Sequence, residues 1–305
     1  MTEVSIRERV KRPPSAAMVE SYYGPALARA LPAQFDLEIW IHLAHLAMLA
    51  RQRIVRAEDA RAIRAALLAL HQAGPAALGA DGTAEDLYSY TERHLTRTLG
   101  PEVGGRLHTG RSRNDLHVTA WRMALRAALL DALDALAALR AVVLDQAARH
   151  AGTVMPGYTH WQHAQPVTYG YYLLAFADHL GRDFARLAAA WERVDACPLG
   201  AGALATTAFP LDRADTARAL GFARVMEVAY DAVASRDDAA ETVAGCALLA
   251  TGLSRLAVDL QAWSTWEYGF VELADEHCAV SSIMPQKKNP AALEHIKAGA
   301  AMITG

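Results

Sequence analysis

The chain has 305 residues, of which 53% are hydrophobic and 21% charged, with a net charge of −3. That balance suits one or two soluble domains with a large core, and it excludes wholesale nucleic-acid binding through a basic surface. Three widely spaced cysteines, Cys197, Cys246 and Cys278, fit a reducing cytoplasm and neither a disulfide framework nor a zinc site.

The opening "MTEVSIRERVKRPPSA" lacks the apolar core of a signal peptide. Two shorter helices are expected next, over about Leu37–Gln52 and Ala57–Ala73, followed by the breaker-rich "AGPAALGADGTA". These make residues 1–105 a smaller helical N-terminal domain. "GPEVGGRLHTGRS" is glycine-rich but lacks the Gly-Lys-Ser/Thr ending of a phosphate loop, so it reads as a linker.

Three long helices are expected in residues 106–305: the amphipathic Leu116–His150, the amphipathic Val167–Val194 with Gly170 and Gly181 as tolerated weak points, and Asp237–Trp263, mostly apolar on several faces. The longest apolar runs are interrupted by charge, as at Asp178 and Arg255, so no membrane span is expected. Helices apolar on more than one face belong inside a bundle, often between subunits. The expected architecture is all-α, a long-helix bundle in a homo-oligomer.

Polar clusters interrupt this apolar pattern: "HTGRSRND" at His108–Asp115, "GYTHWQHAQP" at Gly157–Pro166 and "SSIMPQKKNP" at Ser281–Pro290. Each precedes an expected helix, and helix N-termini bind carboxylates through free N–H groups and a partial positive charge. In the third, Asn289 is the expected N-cap and Pro290 the first helical residue. Taken singly, each cluster reads as a cap with a solvated turn. Three of them, each with Arg, Lys or His beside Ser, Thr or Asn, suit a substrate with more than one carboxylate. His42 and His45 share a helix face without an evident third ligand, so no metal is expected, and no cofactor is called for.

"SSIMPQKKNP" resembles the signature loop of the fumarase/aspartase superfamily. "HTGRSRND", "MPGYTHWQHAQP" and "PLGAGALA" (Pro198–Ala205) resemble the argininosuccinate lyase branch, in the family's order, from about residue 36 to the end. The resemblance implies an all-α homotetramer whose active sites each combine three chains. It implies elimination of an amine or hydroxyl from a substituted succinate to give fumarate. Carried over by residue, Ser281 takes the Cβ proton, and Lys287 and Asn289 hold the carboxylate that becomes an aci-carboxylate. Ser112, Arg113, Asn114 and Thr159 bind substrate, and His160 with Glu294 serves the acid side. His163 is taken as structural. The chemistry is coherent: a proton beside a carboxylate is weakly acidic, so the dianion needs a lysine and oriented amides. A serine base needs the same positive surroundings.

The chain also departs from the branch. Ala279 and Val280 replace the Thr-Gly before the serines, Tyr88 replaces the histidine of Glu-Asp-Ile-His, and Ala291 replaces an aspartate. Leu27 and Leu31 stand where the branch has a Ser-Ile-x-x-Asp element for the amino-acid end of argininosuccinate. The fumarate side is kept and the amine side altered, and lost polar partners remove discrimination for a polar group. The expected activity is therefore carbon–nitrogen lysis of an N-substituted aspartate whose amine is not arginine. The alternatives are true argininosuccinate cleavage and an inactive, crystallin-like member. Because "AMITG" falls inside what should be the next long helix, the protein is expected to continue beyond it. The expected setting is cytoplasmic.

Overall fold

The computed structural model describes residues 12–305. The fold is all-α, and among the described residues the strands form only two-stranded ladders between the helices. Its residues group into two compact units. One runs up to Ala127 and includes Val194–Ser235; the other combines Ala128–Arg193 with Arg236–Gly305. The division expected near residue 105 thus falls inside the first unit, and the boundary lies within a single helix, Arg113–Arg149.

In the first unit, helices Gly24–Arg51, Ala57–Ala73 and Leu87–Leu99 share one core. Ile39, Leu49, Ile63, Leu67, Leu87 and Leu95 are almost wholly buried there, each contributing roughly 1.5–3 kcal/mol by leaving water. The first helix starts well before Leu37 and carries Pro32 inside it. Burial of Leu27 and Phe35 on that extra length offsets the missing backbone bond and ring clash. The other two helices end where their sequences say. Gly74 and Gly100, both at φ 79°, terminate them, and Asp86 caps Leu87–Leu99 by accepting from the Ser89 N–H at 3.0 Å.

In the second unit, Tyr169–Val194, Asp237–Trp263 and Ala291–Thr304 join the C-terminal part of Arg113–Arg149. Asp237–Trp263 ends at the expected residues. It is long and apolar enough to cross a membrane by length and composition, and it leaves Val243 and Leu248 more than half exposed. Gly170 is not a tolerated weak point. A Cβ there would sit 2.4 Å from the Ala147 carbonyl oxygen and 2.8 Å from that of His150.

Two expected helix starts are corrected. Between the first two long helices the chain forms an antiparallel hairpin, Val154–Thr159 with Gln162–Thr168. "GYTHWQHAQP" is therefore mostly strand, and the helix begins at Tyr169. The last helix starts at Ala291 with Pro290 as its cap, so Asn289 is a strand residue paired with Ala279.

Candidate active site

The first cluster belongs to the first unit. Ser112 stands immediately before the Arg113–Arg149 helix, and its Oγ accepts from the Asn114 N–H at 3.2 Å. Asp115 reaches back to the Ser112 N–H at 3.2 Å, a reciprocal capping box. Asn114 is exposed and donates to the Ala203 carbonyl at 3.4 Å. Arg113 is already engaged within the chain, by Asp86 at 2.8 Å and by Glu85.

Beneath this turn lies a buried polar layer. Arg111 donates to His42 Nδ1 at 2.9 Å, and His45 Nε2 lies 3.0 Å from the Thr109 carbonyl. Tyr88 is buried here with its ring centroid 4.7 Å from that of His108. The tyrosine that departs from the family pattern is therefore an interior residue, and burial pushes its hydroxyl pKa up. Burial likewise lowers the pKa of His42 and His45, reinforced by the Arg111 charge, and lowers His108 to about 4. Glu38 goes the other way, to about 8, chiefly by burial with Asp86 adding. Among the described residues no group of three His, Cys, Asp or Glu is arranged to hold a metal.

The second unit carries the other predicted residues. Thr159 pairs with Gln162, leaving His160 and Trp161 as the two-residue hairpin tip. Both tip residues are left-handed, at φ 53° and 60°, as a type I′ turn requires. Such turns prefer Asn-Gly, and a bulky pair there carries backbone strain. Behind the tip, Tyr158 accepts or donates to His163 Nε2 at 3.1 Å and packs on Tyr268 and Phe270.

The "SSIMPQKKNP" segment forms a loop from Ser281 to Lys287, closed at its base by Ala279–Asn289 and Val280–Lys288 pairing. Extended pairing accommodates Ala279 and Val280 without the conformational freedom of glycine. Ser281 Oγ accepts from the Met284 N–H at 3.1 Å, which fixes it inside the turn. Lys288 pairs with Asp275 at 2.6 Å and Glu272 at 3.5 Å. Its neighbour Lys287 is exposed, as are His160 and Glu294. Among the described residues, His160 and Glu294 do not pair within the chain, and the Lys287 side chain has no ion-pair partner. Ser281 and Lys287 thus share one loop with Asn289 on the ladder at its base, and Thr159 and His160 share one hairpin.

Sequence reasoning missed Asp115, Arg111 and Glu38. Only Asp115 left a signal, the Ser-x-x-acid spacing of a capping box from Ser112.

The family profile described as "Lyase" matches residues 28–305. The chain is 47% identical over 268 residues to the argininosuccinate lyase of Methanospirillum hungatei JF-1, covering 88% of this chain and 54% of that protein. It is 40% identical over 297 residues to argininosuccinate lyase 1 of Shouchella clausii KSM-K16, covering 97% and 60%. Among solved structures it is similar to an EDDS lyase in complex with formate, at 38% identity and a TM-score of 0.85, covering 95% of this chain and 57% of that one. A variant of EDDS lyase with bound fumarate matches equally, with a TM-score of 0.86. The chain spans little more than half the length of these relatives. With the profile covering nearly all of it and the signature motifs in order, the chain belongs to this lyase family, in the argininosuccinate lyase-like branch of the fumarase/aspartase superfamily.

Proposed function

We propose that this chain acts as a carbon–nitrogen lyase that splits an N-substituted aspartate into fumarate and an amine other than arginine. The observation that carries the reading is the Ser281–Lys287 loop, seated on its β-ladder within a chain that belongs to the lyase family. Ser281 removes the Cβ proton, and Lys287 with Asn289 stabilises the resulting dianion as an aci-carboxylate. The electron pair then forms the C=C bond as the C–N bond breaks, and the acid side, His160 with Glu294, supplies the amine with its proton. Ser112, Arg113, Asn114 and Thr159 hold the substrate carboxylates. Each site combines residues of several chains in a homotetramer. That His160 and Glu294 have no partner in each other within one chain agrees with this.

Two observations favour an amine other than arginine. Leu27 is buried and Leu31 packs against the same core, so these two positions offer no polar group to an amino-acid end. A structural relative of this chain is an EDDS lyase. The second reading, argininosuccinate itself, is favoured by the named relatives at 40–47% identity. Running the reaction backward separates them: fumarate is incubated with a panel of amines that includes arginine, and adducts are identified by mass spectrometry. A non-arginine adduct formed by the native protein and lost in Ser281→Ala is the expected result. Adduct with arginine alone gives the second reading. No adduct with any amine, native and variant alike, removes the enzyme reading.

A further inference from the structure

We infer that Asp115 is a positioning residue for the proposed reaction, holding the Ser112–Asn114 turn in register by tying it to the Pro198–Ala205 loop. The inference rests on the lyase reading above. Asp115 is wholly buried, and a buried carboxylate is costly unless its oxygens are hydrogen-bonded. Its Oδ1 accepts from the Ser112 N–H at 3.2 Å, and its Oδ2 from the N–H groups of Gly200 at 3.0 Å and Gly202 at 2.8 Å. Both oxygens are occupied, so Asp115 acts on substrate only through what it holds.

The loop it holds has little freedom. Gly200 and Gly202 lie at φ 85° and 65°, which converges their N–H groups on one oxygen. A Cβ on Gly202 would come within 2.8 Å of the Thr206 carbonyl oxygen. On the loop's other side Arg213 donates to the carbonyls of Leu199 at 3.1 Å, Met226 at 2.8 Å and Pro198 at 3.4 Å. Asn114 closes the circuit through its bond to Ala203 at 3.4 Å. Ser112 and Asn114, two of the groups predicted to grip substrate, therefore take their orientation from a loop more than eighty residues away, and one carboxylate makes the junction. Burial pushes the Asp115 carboxyl up to about 6, against the opposing pull of the Gly202 N–H and the Arg111 charge.

Asp115→Asn presents an N–H₂ group to converging N–H donors or loses one of its acceptor contacts. With the amine found by the adduct screen, kcat/KM is expected to fall by about ten- to a hundredfold, carried mainly by a rise in KM. Far-UV circular dichroism and the melting transition report whether the variant folds. A merely structural defect lowers the active fraction, and with it kcat, but leaves KM unmoved. If Asp115→Asn does not fold, Arg213→Lys loosens the same loop from its other side and is expected to raise KM in the same way. An active wild type with an unchanged KM in the folded variant overturns the positioning role alone. A wild type inactive on every amine overturns the lyase reading and this inference with it.

Discussion

Glu38 is buried with both carboxylate oxygens lacking hydrogen-bond donors, so its charged form is penalised and its pKa stands at about 8 against an ordinary 4.5. The folded chain then holds a proton that the unfolded chain has released. Stability from this group is fully present below about 4.5 and is lost as pH rises through about 8. His42 and His45, whose folded pKa is lowered from 6.5, act in the opposite sense and only below that value. Between pH 6.5 and 8 the Glu38 effect therefore stands clear of them, with a slope of up to roughly 1.4 kcal/mol per pH unit. Denaturant unfolding at several pH values across this window is expected to show stability falling as pH rises. Glu38→Gln should flatten that slope; a slope identical in the variant would mean that Glu38 is ionised in the fold. In the sequence only the shared helix face of His42 and His45 was legible. Glu38, His42, His45 and Arg111 lie on segments nearly seventy residues apart, and only the fold turns ordinary polar residues into an interior layer.

Among the elements, helix ends marked by local chemistry were readable and those set by distant contacts were not. Ala57–Ala73 stops at a glycine, and Asp237–Trp263 is apolar on several faces between polar stretches, so both appear with the expected limits. The hairpin escaped because its strands are exposed or half-exposed along their length, leaving no alternation of polar and apolar residues to read. The motif carrying Thr159 and His160 was found nonetheless, since a resemblance of residues does not depend on the element that carries them. Gly170 shows the same limit from the other side. By propensity it weakens a helix, and an alanine would improve it. In the fold it lets the helix start pass against the Ala147 and His150 carbonyls, and those are backbone atoms that cannot swing away. Gly170→Ala is therefore expected to destabilise the chain by about 1–3 kcal/mol, seen as a lower melting temperature. Equal or greater stability would show that the two segments can separate without cost.

For the molecule as a whole, the second unit leaves large apolar side chains in water: Tyr171, Leu174 and Phe184 on one helix, Val243 and Leu248 on another, Met302 and Ile303 on a third. The proposed homotetramer would cover apolar surface of this kind, repeated over several helices. The same proposal draws each active site from more than one chain, and that has a consequence no single-chain site shares. Ser281→Ala and His160→Ala each remove one essential group and are each expected to be inactive alone. If Ser281 and His160 meet from different subunits, co-refolding the two variants assembles some sites that carry neither substitution. For random assortment about a quarter of the sites recover both groups. Activity measured on the amine identified by the adduct screen should then rise from background in the mixture, and mixing without refolding should restore less where subunits exchange slowly. A mixture as silent as its components, with association confirmed by light scattering, would place Ser281 and His160 of each site on one chain and end the proposal that these two groups are shared between subunits.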